Sequence, residues 1–332
     1  MNKTVTLAMG NGGEENNQLI RKVFYKAFKN DILEKSEDAA ILELNQKNIA
    51  MSTDSFTVSP IFFPGSDIGK LSICGTCNDL AMMGAKPKYL TVSFVIEEGF
   101  LMDDLEKIAK SMEKELKINS TLVISGDTKV MPKGTVDKII INTTGIGEVL
   151  QNDISSNAIS KDDVILVSRD IGSHGAAIFA SREGIELESE LRSDCTSLFP
   201  IVKALLDEGL KITALRDATR GGVSAVLNEW AKQSNVCIEA YEEKIPVSDE
   251  VKGICEILGF EPTALANEGT FLIAVNKSKI EQTIKILKRF NKSCSYIADI
   301  TDKYIGKVVL HNSWGTKRFL ESPTGELLPR IC

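Results

Sequence analysis

Apolar and polar positions switch repeatedly between a period near two and a period near four along this chain, and the switches outline alternating strands and helices. Residues 19–28 (LIRKVFYKAF) follow the turn-prone NGGEENN with helical spacing, and β-like runs come next at 39–44 (AAILEL) and 48–56. A helix is predicted from Ile68 to Met83 and a strand over YLTVSFVI at 89–96. Leu101, Leu105, Ile108 and Met112 recur at spacings of four, three and four, which marks one helix face. Strands at 121–127 and 138–150 complete a first half.

The polar, unpatterned stretch QNDISSNAISKDD at 151–163 reads as a linker. Beyond it the alternation resumes: a strand at 163–168, a Gly-rich turn into a helix at 174–182, a helix near 195–207, a strand leading to Asp217 and a helix after Gly222. TFLIAV at 270–275 is a strand, and Ile280, Ile284 and Leu287 form the face of another helix. Short strands follow Tyr304, and PTGELLPRIC at the end has no periodicity, the mark of an exposed, mobile tail. The fold class expected is α/β (α+β) in two domains, residues 1–150 and 160–310, with 311–332 as terminal strands and tail.

Composition narrows the chemistry. A net charge of −7 argues against a nucleic-acid surface, which needs clustered Lys and Arg. No export signal or membrane-spanning run is evident, so the seven cysteines, an odd number, are expected as thiols in a cytoplasmic protein. Only two histidines are present, His174 and His311, which leaves little room for zinc hydrolase sites, Ser-His-Asp triads or Cys-His dyads.

Carboxylates are the better candidates. Asp38, Asp54, Asp79 and Asp127 lie at predicted strand ends or in turn-like motifs, where an α/β sheet places ligand groups. Carboxylates that converge there repel one another unless a cation such as Mg²⁺ offsets them, and Lys129 could bring a positive charge to phosphate. Each aspartate taken alone could equally cap a helix or start a turn. No GxxxxGK[ST] loop is present. Glu268, in ANEGT just before a strand, suits a general base. His174 fits a hydrogen-bonded structural role better than a catalytic one. Cys74 and Cys77 form a CxxC within an apolar run that reads as buried small residues.

Cys332, in the closing LPRIC, is the remaining candidate. Pro329 stiffens its approach, Arg330 can pair with an anion and Ile331 can anchor in a pocket. A thiol on such a leash suits a carrier, although a chance terminal residue explains Cys332 alone equally well.

Several segments together carry a resemblance: 52–87 with STDSF and CNDLAMMGAKP, GDTKVMPKG within 126–149, GSHGAAIFASREG at 172–184, ALRDATRGGV at 214–223, ANEGTF within 256–271, and the closing PRIC. They make the chain similar to the HypE family of hydrogenase maturation proteins, in the PurM-like superfamily that includes aminoimidazole ribonucleotide synthetase and selenophosphate synthetase. The turn at 9–13 departs from the family pattern, with Met9 where a His is usual.

The resemblance implies an ATP-dependent carbamoyl dehydratase with a PurM-like fold, an N-terminal ATP-binding and dimerisation domain and a homodimeric state. It implies that HypF carbamoylates Cys332, that ATP phosphorylates the carboxamide oxygen, that loss of phosphate leaves a thiocyanate, and that the cyano group passes to iron on HypC–HypD. Asp38, Asp54, Asp79 and Asp127 would hold Mg²⁺, with Thr53, Asn78 and Thr128 beside the nucleotide. Lys129 and Glu268 would handle protons and the oxyanion. A selenophosphate synthetase should carry Cys or selenocysteine at residues 9–13, a purine-pathway synthetase has no use for a tail thiol, and a bare scaffold has no use for the phosphate motifs.

Overall fold

The computed structural model describes residues 4–10, 14–35, 40, 42–45, 47–185, 191–323, 328 and 330–332. Near the N-terminus helical turns run through α1 (Glu14–Leu19), a π-type stretch (Ile20–Tyr25) and α2 (Lys26–Phe28), which place Val23, Phe24 and Phe28 in the core. The expected 39–44 strand does not form in its described residues. The chain there is tied by a side chain instead, the Asn45 amide donating to Glu148 Oε1 at 2.8 Å.

The strands of the first domain are β1 (Ile49–Phe56), the short pair β2 (Phe62–Phe63) and β3 (Ser66–Asp67), β4 (Ala85–Glu97), β5 (Leu122–Met131) and β6 (Ile139–Val149). Four of them form a sheet in the order β1-β6-β4-β5, with β4 and β5 parallel. Helices α3 (Ile68–Met82) and α4 (Met102–Asn119) cover one face, and the other face carries exposed Met51, Thr53, Ser55 and Thr91. Asp67 starts α3 by accepting the amides of Gly69 at 2.7 Å and Lys70 at 3.1 Å, a side-chain cap of the usual kind.

α3 is buried nearly all round, because a second domain covers the side that the first sheet leaves. That explains its continuous apolar pattern and the full burial of Cys74 and Cys77. The second domain is built from β7 (Asp163–Val167), α5 (Ser173–Glu183), α6 (Phe199–Asp207), β8 (Ala214–Asp217), α7 (Gly222–Gln233), β9 (Cys237–Tyr241), α8 (Asp249–Leu258), β10 (Phe271–Asn276), α9 (Ile280–Leu287), β11 (Ser295–Thr301), β12 (Val308–His311) and β13 (Lys317–Phe319). Its seven-stranded sheet runs β13-β12-β9-β11-β7-β10-β8. The Val164–Val167 run of β7 is apolar because both of its faces are covered. Patterning did not pick out β9, β11 or α8. α6 begins only at Phe199, with Pro200 in its first turn, so residues 193–198 stay outside regular structure and free for other work.

Among the described residues, no helix is long and apolar enough to cross a membrane.

Candidate functional site

The domains meet where β1, the middle of α3 and the end of β8 converge. The alternation of β1 turns Ser52 and Asp54 toward α3, and Ser52 Oγ donates to Asp79 Oδ2 at 2.6 Å. Thr76, one turn earlier on α3, donates to Asp54 Oδ2 at 3.3 Å. Asp217, the last residue of β8, faces the same cleft from the second domain, and Glu268 approaches from the loop before β10.

This crowding changes the acids. Burial raises the Asp217 carboxyl to about 7, reinforced by the charge of Asp79 and opposed by Arg216. Burial likewise lifts Asp79 to about 6; the Ser52 hydrogen bond opposes the rise and Asp54 adds to it. Glu268 stands well above the usual carboxylate range, first from burial and then from its neighbours Cys195, Asp217 and Asp194. Such acids hold or exchange protons near neutral pH, which is the requirement for proton transfer at a reacting group.

Three loops lock Glu268 in place. Asp194 Oδ1 accepts the amide of Glu268 at 3.0 Å, while its Oδ2 accepts the Gly269 amide at 3.0 Å and Thr270 Oγ1 at 2.8 Å. A Cβ on Gly269 would lie 1.9 Å from the Asp194 carbonyl oxygen, so only glycine lets these segments touch. Gly222, at φ +59°, similarly allows the RDATRGG loop to pass the carbonyls of Thr263 and Leu265, each 2.5 Å from the place of its missing Cβ. Asn78, expected beside a nucleotide, is buried and committed elsewhere. It donates to the carbonyls of Thr196 at 3.0 Å and Glu268 at 3.4 Å, and accepts the Leu198 amide at 2.8 Å.

The tail differs most from expectation. Its last residues are seated in the body of the molecule rather than exposed. Thr57 donates its amide and hydroxyl to the Cys332 carbonyl oxygen, at 3.0 and 3.1 Å, and the Ser59 amide donates to Arg330 O at 3.2 Å. The tail thereby lies along residues 57–59, with a turn at Arg330, whose φ is +51°. His174 Nε2 meets Ile331 O at 2.8 Å, Arg182 donates to Arg330 O, and Arg330 pairs with Asp137. Ile331 is buried and Cys332 half-buried. Periodicity could not reveal this, because the seat is made by partners at least 148 residues away. Burial pushes the Cys332 thiol up to about 11; Glu268 and Asp54 add to the rise and Arg220 opposes it. Those three charges mark where the sulfur sits: in the acidic cleft.

The remaining candidates lie elsewhere. Asp127, Thr128 and Lys129 are on β5, the sheet edge opposite β1, roughly 15 Å away at the usual strand spacing. Lys129 Nζ grips both oxygens of Asp127 at 2.7 and 2.6 Å, and that bond holds the Asp127 carboxyl below its ordinary range. Thr128 has a buried side chain, and its amide donates to Asp127 Oδ1. Thr53 Oγ1 donates to Thr143 O, on the face of β1 away from Asp54. Met9 is buried, and Asp38 lies outside the described residues.

Asp54 and Asp79 therefore lie together while Asp127 stands apart on the far edge of the sheet. Among the described residues, no three His, Cys, Asp or Glu side chains are grouped to hold a metal alone. Asp54 and Asp79 nevertheless suit a hard divalent cation that completes its shell with phosphate and water, since it would relieve their mutual repulsion. Patterning missed Asp217 and Asp194, although Asp217, like Asp127, is an acid that closes an apolar run.

Comparison with known proteins follows this geometry. Residues 36–149 match the family "AIR synthase related protein, N-terminal domain", and residues 160–311 match its C-terminal domain. Carbamoyl dehydratase HypE of Escherichia coli (strain K12) is 42% identical over 337 residues, covering 99% of this chain and 99% of its own. The crystal structure of hydrogenase maturation protein HypE in complex with ATP aligns with a TM-score of 0.95 and 39% identity, over 99% of this chain and 100% of that one. A chain of the HypE–HypF complex aligns with a TM-score of 0.80 and 43% identity, over 92% of this chain and 99% of that one.

Proposed function

The chain belongs to the HypE family of carbamoyl dehydratases, and from that premise we propose that it dehydrates a carbamoyl group carried on Cys332 to a thiocyanate, at the expense of ATP, to supply cyanide ligands for [NiFe]-hydrogenase iron. The observation that carries this reading is the seat of the tail, which holds the Cys332 sulfur within the electrostatic reach of Glu268, Asp54 and Arg220.

ATP supplies a phosphoryl group that turns a poor leaving oxygen into phosphate. The carboxamide oxygen on the sulfur-bound carbon takes the γ-phosphoryl group, and one N–H proton leaves. The second N–H proton then departs as the C–O bond breaks, and the C≡N bond forms on sulfur. The balance is carboxamide plus ATP to thiocyanate, ADP, phosphate and one proton, the other N–H hydrogen leaving on the phosphate. Glu268, buried with its carboxyl raised, is suited to exchange protons with that nitrogen, and Asp217 is suited to share the load. Arg220, an exposed cation whose charge reaches the thiol, is suited to steady the phosphorylated oxygen.

Asp54 and Asp79 would hold Mg²⁺, and the Asp127–Lys129 pair would receive the triphosphate. Met51, 68% exposed on the open sheet face, with the half-buried Ile146 opposite it on β6 and the half-buried Ile140 farther along that strand, supports a homodimer formed through that sheet. HypF, found in complex with a similar chain, is the proposed carbamoyl donor, and HypC–HypD the proposed acceptor. Those exchanges require the tail to leave its seat.

Intact-mass measurement on the carbamoylated chain tests the reading. ATP addition should remove the mass of one water, and Cys332→Ala should take up no carbamoyl group. A chain that hydrolyses ATP without that mass loss would overturn it.

A further inference from the structure

Cys332 must be both released to partners and returned to one place against Glu268, so something must define its return position. His174 does not belong to the acidic cleft, yet it is fully buried in the first turn of α5 with both ring nitrogens engaged. Nδ1 lies 2.8 Å from Ser193 Oγ, and Nε2 lies 2.8 Å from the carbonyl oxygen of Ile331. A carbonyl can only accept, so Nε2 carries the proton and Nδ1 receives the Ser193 hydroxyl hydrogen. Ser193 is fixed in turn by the Cys195 amide, which donates to its Oγ at 3.1 Å. Phe63 meets the ring edge-on at 5.6 Å.

The residue after Ser193 is Asp194, which accepts the amides of Glu268 and Gly269. Adjacent residues of one irregular segment thus hold both halves of the chemistry. One acts through His174 on the carbonyl just before Cys332, and the other acts on the peptide of Glu268. The start of α5 is sewn to the same loop: the Gly172 amide donates to Asn267 Oδ1 at 2.6 Å, and the Gly175 amide to Ala266 O at 2.9 Å. The direct contact at Gly269 leaves these parts no room to shift separately.

We infer that His174, oriented by Ser193, is a positioning residue that sets the Cys332 sulfur against Glu268, with residues 193–194 as the common brace. The inference rests on the proposed dehydration for its purpose, though not for its geometry. His174 also weights the equilibrium between seated and released tail, because departure of Ile331 leaves a buried N–H without its acceptor.

The test compares His174→Leu, His174→Gln and Ser193→Ala in the full chain. The first readout is the rate at which iodoacetamide alkylates Cys332, read on its C-terminal peptide since the other six cysteines are buried. The second is kcat and KM for ATP in dehydration of the carbamoylated chain. His174→Leu and Ser193→Ala should raise alkylation about ten-fold, the loss expected for one buried hydrogen bond, and lower kcat while KM for ATP stays within about two-fold. His174→Gln, whose amide can still donate to Ile331 O, should recover most of both. A folded His174→Leu protein with unchanged alkylation and kcat overturns the inference, as does His174→Gln behaving like His174→Leu. Should His174→Leu not fold, Ser193→Ala decides the matter alone, since it removes one oxygen. Alkylation needs neither carbamoyl group nor ATP. If it responds while wild-type protein shows no dehydration, the brace stands and the proposed function falls.

Discussion

Asp217 and Asp127 are both strand aspartates, one in each domain, and they mark two regions that treat the same side chain oppositely. Asp217 is buried beside other acids and rises to about 7. Asp127 is exposed, bonded to Lys129, and falls below its ordinary range. The first region can hold protons at neutral pH; the second is always charged. A reaction that phosphorylates an oxygen and then strips two protons from nitrogen needs both properties, but in separate places. A carboxyl that must bind cationic or phosphate-linked groups serves best when it never protonates, and one that must exchange protons serves best near the working pH. The cleft and the β5 edge divide the labour along that line.

The division can be broken experimentally, and the largest effect is expected in the cleft. Glu268→Gln should lower kcat about 10²–10⁴-fold while leaving ATP affinity near wild type, measured by single-turnover mass spectrometry and calorimetry. At the edge, Lys129→Met should weaken ATP binding by about ten-fold with a smaller effect on kcat, the loss of one charge-assisted contact to phosphate. Should Lys129→Met instead lower kcat as steeply as Glu268→Gln with affinity intact, proton work would extend to β5 and the division would fail.

Cys332 sharpens the comparison through pH. Its thiol sits on the cleft side and is pushed up to about 11, so it stays neutral and poorly nucleophilic below that value. Its alkylation rate should climb about ten-fold per pH unit through pH 9 and level only near 11, whereas an ordinary exposed thiol levels near 8.5. The smallest effect belongs to Asp137→Asn, which removes the partly exposed ion pair with Arg330; alkylation should rise by no more than about five-fold.

Much of this was legible in the chain. The strand and helix periods located most elements of both domains, and the Ser52–Asp54 and Asp79 motifs lie together at the domain junction. Two kinds of information were missing. Local patterning cannot see a partner far along the chain, so the tail, with no period of its own, was expected to be free, although Thr57, Ser59, His174 and Arg182 hold it. Patterning also cannot separate edges of one sheet. Asp54 and Asp127 carry similar motifs, yet the strand order β1-β6-β4-β5 puts them on opposite sides. His174 was assigned a structural role, which its hydrogen bonds support, but the group it supports is the tail.

The way the tail is seated has one more consequence. Arg330 adopts a left-handed conformation, φ +51°, so the chain turns just before its last two residues instead of running on straight. From that turn the Arg330 oxygen takes the Ser59 amide and Arg182, the Ile331 oxygen meets His174, and Cys332 reaches Thr57. The turn therefore acts as a measured stop. An inserted residue between Arg330 and Cys332 would leave the Arg330 contacts in place and carry the thiol past Thr57, giving a tail that still docks and presents its sulfur at the wrong depth.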